Sequence, residues 1–408
     1  MTANADDILS HVDPAEVVRL TQQLIAIPSP VWDESEVARW IAAWFAERRY
    51  SVDLQEISLR NGKTTHNVIG KLAGNGSGAS LMLCGHIDTS DWNGRPFREE
   101  KWTHRPYSGD VANGTLYGLG AINMKAGVAA IMLAADAVRR AALPLKGDLL
   151  VACVAAETGG GVGAVHLVNT GLRPDFCIVT EASDLDVGVI SVGYVQGKIA
   201  VTGEFKARVP YVNPIEKAAN LVAAFGPSYH PLKSVAEGGW LHFTAHPLIP
   251  GFPRMAVRGI EHFQDVTTIS FDLRIVPGMT EQSVRADMTR FLDALAARDP
   301  EFKYELIIPV SAQQPNMPAR EATPAEAPVV AELIKAHERV TGTMPVVGAG
   351  HRIGATADTC HFKGVGIACV EYGPGFIPTW PMVDERVEVE QVVTAAKALA
   401  LTAVAIVA

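Results

Sequence analysis

The chain has 408 residues, of which 48% are hydrophobic and 19% are charged, and its formal net charge is −9. This composition is typical of a globular protein about two to three domains long, and it excludes a disordered chain. The negative charge argues against nucleic acid or an anionic membrane as a partner.

The first residues of the chain and its cysteines predict a cytoplasmic location. We find no apolar run of about 18 residues that would predict a membrane span. The first residues, Met1 to Asp7, lack the basic and apolar segments of a signal peptide. The cysteines lie in or near apolar runs, which indicates buried free thiols in a reducing compartment. They are Cys84, Cys153, Cys177, Cys360 and Cys369.

The N-terminal part predicts helices that alternate with short buried strands. Helices are predicted to begin at Asp13-Pro14 and at Asp33-Glu34, where capping residues precede apolar periodicity. A third helix is predicted over residues 124–137. Strands are predicted over residues 52–54, 67–70, 80–84, 148–154 and 176–179. This alternation predicts an open mixed α/β sheet with a site at the strand ends.

The pattern changes near residue 187. Strands are predicted over residues 187–202, 241–244, 267–275 and 304–309, with helices over 214–225 and 281–297. Four strands and two helices predict a ferredoxin-like α+β insert. Residues 311–318 are a predicted linker, followed by a helix at 325–340, a strand at 365–372 and a terminal helix. We therefore predict a catalytic α/β domain formed by residues 1–186 and 313–408, with an inserted lid domain at 187–312.

Four segments carry polar residues where the predicted strands and turns end. They are Gly85-His86-Ile87-Asp88, Gly118 to Lys125, Ala156-Glu157-Thr158-Gly159-Gly160 and Val179-Thr180-Glu181-Ala182. Three further segments accompany them: Leu116-Tyr117-Gly118, the run from Phe271 to Gly278, and Gly373-Pro374-Gly375 with Asp384-Glu385. In this order and over nearly its whole length, the chain resembles the family of acetylornithine deacetylase, succinyl-diaminopimelate desuccinylase, aminoacylase-1 and glutamate carboxypeptidase. The resemblance implies a dinuclear metal hydrolase with a lid domain, and a homodimer formed through the lid.

The resemblance assigns a role to four residues of these segments. It implies that His86 is a ligand of the first metal and that Asp88 orients its imidazole through the second ring nitrogen. Glu181 matches the third ligand of that metal. Glu157 matches the general base, which takes a proton from water and passes it to the leaving nitrogen.

Other positions depart from the family pattern. Asn123 replaces the aspartate that bridges the two metals, and it either gives one oxygen to one metal or only forms hydrogen bonds. Thr158 replaces a glutamate ligand of the second metal, and Pro381 replaces its histidine. A neutral hydroxyl is a poor metal ligand, and the proline side chain has no atom that can bind a metal. We therefore predict one divalent metal ion per subunit, Mn²⁺ or Zn²⁺.

The substrate-binding positions also differ. Ala207 stands where family members often carry a lid histidine, and Arg208, Lys206, His104 or His351 are alternatives for its role. Arg274 matches an arginine that binds a substrate carboxylate, although a salt bridge within the lid explains it equally well. Arg352 is a second candidate for the carboxylate, and His351 is a loop hydrogen-bonder or a compensating ligand.

Three functional hypotheses follow. The first is a metal-dependent hydrolase that cleaves a C–N bond of a small carboxylate-bearing substrate. Its reaction is either amide hydrolysis, as the family implies, or hydrolytic deamination of an aromatic amine, as in nitroanthranilate aminohydrolase, which the chain also resembles. The second is a ligand-binding pseudoenzyme, and the third is a conventional dinuclear deacylase or peptidase.

Overall fold

The computed structural model describes residues 5–59, 62–90, 99–206, 209–309, 316–350, 354–376 and 383–408. The chain divides into two compact units. The first unit comprises Met1–Ile190, Ala322–Ile353 and Ala357–Ala408, and the inserted unit comprises Ser191–Glu321 and Gly354–Thr356. The domain limits predicted from the sequence, at residues 186 and 312, remain predictions.

The described residues form ten α-helices. They are α1 (Ala5–Ser10), α2 (Pro14–Ile25), α3 (Ser35–Glu47), α4 (Ala126–Arg140), α5 (Val162–Asn169), α6 (Pro214–Phe225), α7 (Glu281–Arg298), α8 (Pro328–Thr341), α9 (Thr359–Lys363) and α10 (Val389–Val407). A π-helical turn, Ala121–Lys125, precedes α4. The start of α2 matches its prediction, because the Asp13 side chain accepts a hydrogen bond from the Ala15 N–H and Pro14 opens the helix.

The strands alternate with these helices in the first unit and cluster in the inserted unit. They are β1 (Ser51–Ser58), β2 (Thr64–Leu72), β3 (Leu81–His86), β4 (Val111–Ala112), β5 (Thr115–Tyr117), β6 (Leu149–Val154), β7 (Phe176–Val179), β8 (Val187–Gly188), β9 (Gly193–Thr202), β10 (Glu204–Lys206), β11 (Val209–Val212), β12 (Arg254–Phe263), β13 (Val266–Ile275), β14 (Lys303–Ile307), β15 (Val347–Gly348), β16 (Ala368–Glu371) and β17 (Arg386–Glu388).

The first unit is built on one mixed sheet of order β1-β2-β6-β3-β7-β16-β8-β15. Its central strands β6, β3, β7 and β16 run parallel to one another, whereas β2 is antiparallel to both β6 and the edge strand β1. Every residue of β3 and β6 is buried, as expected for central strands covered on both faces. The carboxyl ends of these parallel strands therefore open onto one edge, where a site is expected.

The inserted unit has a four-stranded antiparallel sheet of order β12-β13-β9-β14. In chain order its elements are β9, α6, β12, β13, α7 and β14, which is the ferredoxin-like succession predicted from the sequence. The hairpin of β10 and β11 lies between β9 and α6.

Two strand predictions in this region are wrong in position. The strand predicted over residues 241–244 is absent, and the sheet instead uses β12, whose outer residues 258–263 are exposed and lack alternation. A register shift between Val257 and Gly259 disturbs the pattern further. The strand predicted over 187–202 is two strands, β8 in the first unit and β9 in the inserted unit.

Two helices are apolar and long enough to cross a membrane by composition alone. They are Ala121–Arg140 and Val389–Val407. The apolar window of the first is 100% buried within the protein, as in the core helix of a soluble domain, so the two helices are weak evidence for a membrane span.

Candidate metal site

Three groups that bind divalent metals meet at the carboxyl edge of the central sheet. His86 ends β3, Glu157 follows β6 by three residues, and Glu181 follows β7 by two. Because β6, β3 and β7 are parallel neighbours, their ends bring these side chains together. One ligand atom of each lies within 4.8 Å of the others, and all three residues are buried.

The two nitrogens of the His86 imidazole face different partners. Its Nδ1 lies 3.0 Å from the Asp88 carbonyl oxygen and 3.3 Å from Asp88 Oδ1. Its Nε2 faces inward, 3.2 Å from Asn123 Oδ1 and 3.7 Å from Glu181 Oε1. This is the arrangement in which a second residue fixes the ring and leaves Nε2 as the ligand atom.

The electrostatics of the cluster suit a cation. Burial raises the pKa of the Glu157 carboxyl well above its usual value, and the charge of Glu181 raises it further. Burial alone would lower the pKa of His86, but Asp88, Glu181 and Glu157 outweigh it and raise that pKa well above its usual value. A nearby positive charge stabilises buried carboxylates in their ionised form. An imidazole with oxygen donors is a donor set that fits Zn²⁺ or Mn²⁺.

Asp88 connects His86 to the turn that carries Glu157. Its Oδ1 accepts the Glu157 N–H at 2.9 Å, and its Oδ2 accepts the Thr158 N–H at 3.0 Å. The Thr158 hydroxyl donates to the same Oδ2 at 2.6 Å. Although burial opposes it, the His86 charge and these hydrogen bonds lower the pKa of Asp88. Thr158 is therefore a hydrogen-bond partner of Asp88.

Asn123 lies in the π-helical turn before α4, and a carboxylate holds this turn. Glu385 Oε1 accepts the N–H groups of Ile122 at 2.9 Å and Asn123 at 3.1 Å, and Oε2 accepts that of Gly120 at 2.9 Å. The motif Asp384-Glu385 was part of the family resemblance, but its contact with Asn123 spans 262 residues of sequence. No local pattern predicts such a contact.

Asp358 is a buried carboxylate near the site that the sequence analysis missed. It is 1% exposed. Burial raises its pKa to about 8, and the charges of Asp88 and Glu181 add to the shift while His86 opposes it. It directly precedes the short helix α9. Aspartate is common at the start of a helix, so the sequence gives no sign that Asp358 belongs to a site.

The other predicted residues are placed as follows. Arg274 in the inserted unit forms a two-point salt bridge with Asp272, at 2.9 and 3.1 Å. His104 stacks on Tyr117 with ring centroids 3.8 Å apart, and its Nδ1 lies 3.4 Å from Asp110 Oδ2. His351, Arg352, Ala207, Arg208 and Pro381 lie outside the described residues, and the side chain of Lys206 is also outside them.

Comparison with known proteins gives a family and a fold. A sequence model described as peptidase family M20/M25/M40 matches residues 82–405. The chain is 27% identical over 409 residues to N-formyl-4-amino-5-aminomethyl-2-methylpyrimidine deformylase of Bacillus subtilis, covering 93% of this chain and 91% of the relative. It is 28% identical over 298 residues to acetylornithine deacetylase of Proteus mirabilis, covering 69% and 73% of the two chains.

A solved structure of similar fold is a dinuclear metal-binding peptidase of Bacillus subtilis, with a TM-score of 0.66 and 15% identity, covering 96% of this chain and 97% of that one. These comparisons confirm the family resemblance and the predicted α/β fold class with its inserted unit.

Proposed function

The chain belongs to the peptidase family M20/M25/M40, and on this basis we propose that it is a metal-dependent amidohydrolase with one metal ion per subunit. Hydrolysis of C–N bonds by a divalent metal enzyme is the activity of the family. The number of ions, the roles of the residues and the substrate are our proposals.

The contact between Thr158 and Asp88 carries the proposal of a single metal. In the family pattern the position of Thr158 supplies a carboxylate to the second metal. Here its hydroxyl donates to Oδ2 of Asp88 at 2.6 Å, and Asp88 is the carboxylate that orients His86. His86 and Glu181 would hold the ion, with Asn123 Oδ1, 3.2 Å from His86 Nε2, as a further oxygen donor. A neutral amide is too weak a bridge to offset the repulsion of two cations.

Glu157 is the proposed general base. A bound divalent ion supplies Lewis-acid activation of the acyl carbonyl and of water. Glu157 takes the proton of the water whose oxygen attacks the acyl carbon. It then delivers that proton to the nitrogen as the C–N bond breaks, so that a carboxylic acid and an amine are released. Glu157 is buried, and one of its oxygens lies within 4.8 Å of the ligand atoms of His86 and Glu181, so it is placed to hold the proton between these two events.

Amide hydrolysis is favoured over deamination of an aromatic amine. The deformylase that is 27% identical to this chain covers 93% of it, and its name describes removal of a formyl group from an amine. We therefore propose a short acyl group, formyl or acetyl, on a small amine. Deamination of a nitroanthranilate is retained as an outcome of the test.

The candidates for an anchor of a substrate carboxylate are Arg274, Arg352 and His351. The guanidinium of Arg274 already binds Asp272 at two points, which favours its structural role in the inserted unit. Arg352 and His351 remain predictions for the substrate carboxylate.

We also propose a homodimer through the inserted unit. The strand β12 is at an edge of its sheet. In this strand the side chain of Ile260 is 52% exposed and that of Phe263 is 75% exposed. An exposed edge strand with large apolar side chains is a surface that pairs with another chain.

One assay tests the proposed activity. Purified protein is loaded with Zn²⁺ or Mn²⁺, and acid, amine and ammonia release are measured with N-formyl and N-acetyl amines, N-acyl amino acids and anthranilates. Release of formate or acetate supports the proposal, and its loss in Glu157→Ala assigns the base. Release of ammonia from an anthranilate alone would replace it with deamination, and no turnover of any substrate would favour a ligand-binding protein.

A further inference from the structure

The carboxylate of Glu34 contacts the turn that carries Glu157 although it is 122 residues away in sequence. Glu34 precedes α3 and is 0% exposed. A carboxylate that is removed from water must be hydrogen-bonded or paired. No cation pairs with Glu34 among the ion pairs of the described residues, so its hydrogen bonds carry the compensation.

Three donors from three parts of the first unit converge on this carboxylate. Its Oε1 accepts the Ala156 N–H at 3.2 Å and the Trp32 N–H at 2.8 Å. Its Oε2 accepts the Thr65 hydroxyl, which belongs to β2. One side chain thus joins the segment before α3, the sheet and the residue directly before Glu157.

The residue that it holds has an unusual backbone. Ala156 has a φ of 55°, in the left-handed region that alanine adopts only when its surroundings impose it. The turn closes through the Ala156 carbonyl oxygen, which accepts the Gly161 N–H at 3.1 Å, and the Glu157 carbonyl oxygen, which accepts the Gly160 N–H at 2.8 Å. The direction of the Glu157 side chain therefore depends on how Ala156 is held.

The Trp32 ring closes the other side of the same turn. A Cβ atom placed on Gly159 would lie 2.4 Å from Cη2 of Trp32, so the indole lies directly against the glycine backbone. Glu34 fixes the backbone of Trp32 through the same oxygen that binds Ala156. Asp88 holds the Glu157 and Thr158 N–H groups, so successive N–H groups of the turn are held by two carboxylates.

We propose that Glu34 is a positioning residue of the reaction, which sets the direction of the Glu157 carboxylate through the Ala156 N–H and the Trp32 segment. This inference rests on the proposed role of Glu157. Since Glu34 acts by accepting hydrogen bonds, a glutamine at this position should keep its function. The amide oxygen would accept the Ala156 and Trp32 N–H groups, and the amide nitrogen would donate to the Thr65 hydroxyl. Alanine removes every acceptor.

The test compares Glu34→Ala and Glu34→Gln with Asp136→Ala in the metal-loaded full chain. Asp136 is a matched control because it is buried at 1% exposure and paired with Arg139 and Arg140 on α4. The substrate is the N-formyl or N-acetyl amine turned over fastest by the wild type. Amide hydrogen exchange of the peptide covering residues 155–161 gives a measurement that needs no substrate.

We expect Glu34→Ala to lower kcat by about ten- to a hundredfold, with KM and metal content as in the wild type. The 155–161 peptide should exchange faster in Glu34→Ala, and Glu34→Gln should restore both properties. A kcat and an exchange rate no more affected than in Asp136→Ala would overturn the proposal, as would a Gln variant as impaired as the Ala variant. If Glu157→Ala keeps full activity, the proposed function fails, while the exchange measurement still decides whether Glu34 holds the turn.

Discussion

The Thr158 hydroxyl donates a hydrogen bond of 2.6 Å to Oδ2 of Asp88. The other oxygen of Asp88 faces His86 Nδ1 at 3.3 Å, so the threonine acts on the metal site through the residue that orients the imidazole. Thr158→Val should therefore weaken metal binding by up to about tenfold, the lower end of the effect of such outer contacts.

Titration of the metal-free protein with Zn²⁺ measures this change. Thr158→Ser is the matched control, because it keeps the hydroxyl and should bind Zn²⁺ as the wild type does. Equal affinities of the Val variant and the wild type would mean that the hydroxyl does not support the site.

Glu157→Gln tests the base without altering the shape of the side chain. An amide cannot accept the proton of the attacking water, so kcat should fall by about a hundred- to ten-thousandfold. The metal content per subunit should be retained, since His86 and Glu181 are the proposed ligands. A variant that loses its metal together with its activity would instead make Glu157 a ligand.

Glu385→Ala should destabilise the protein and disturb Asn123. The carboxylate is 2% exposed and accepts the N–H groups of Gly120, Ile122 and Asn123. Leaving these donors without a partner should lower the free energy of unfolding by about 2–4 kcal/mol. Urea denaturation measures the loss.

Asp384→Ala is the neighbouring control. That carboxylate accepts the N–H groups of Thr103 and His104 in an exposed place, where water can replace it. Asp384→Ala should therefore lower the free energy of unfolding by less than Glu385→Ala does. The reverse order would contradict the account of Glu385.

Glu34 should also make stability depend on pH. Burial, and then the charge of Asp88, raises the pKa of Glu34 from 4.5 to about 7. The folded state thus binds this proton more tightly than the unfolded state does. The resulting stabilisation is complete below pH 4.5 and is lost as pH rises through about 7.

Glu34→Gln has no such proton. Relative to the wild type, its free energy of unfolding should therefore rise between pH 5 and pH 8, by an amount on the order of 1–3 kcal/mol. Urea denaturation of both proteins at the two pH values measures the difference. A constant difference, or one of the opposite sign, would show that Glu34 does not titrate in this window.

Phe263→Asp should dissociate the proposed dimer. Phe263 is 75% exposed on β12, and a charge there would oppose pairing of two inserted units. Light scattering coupled to gel filtration gives the mass of the particle. Leu248→Asp is the control, because Leu248 is 42% exposed and lies outside β12; dissociation by both variants, or by neither, would argue against this surface.

Three of the site residues predicted from the sequence share one property: each lies at the carboxyl end of a buried strand or within three residues after it. Continuous apolar runs predict central parallel strands, and polar residues at their carboxyl ends predict a site. The family resemblance then assigned roles to His86, Glu157 and Glu181, and the structure places their ligand atoms within 4.8 Å of one another.

The contacts that the sequence did not predict join residues that are far apart in the chain. Glu34 reaches Ala156 and Glu385 reaches Asn123 across 122 and 262 residues, and each occupies an unremarkable helix start or loop. The strand predicted at 241–244 is absent, whereas β12, which was not predicted, exposes both faces of its outer half and shows no alternation. Edge strands of this kind carry little of the burial pattern on which such predictions depend.

The metal content of the purified protein tests the central claim most directly. Metal per subunit is measured by mass spectrometry of the ions while Zn²⁺ or Mn²⁺ is titrated into metal-free protein, and activity is followed in the same samples. The account predicts that activity reaches its maximum at one tightly bound ion per subunit. Two tightly bound ions, with activity that appears only when the second is bound, would contradict it.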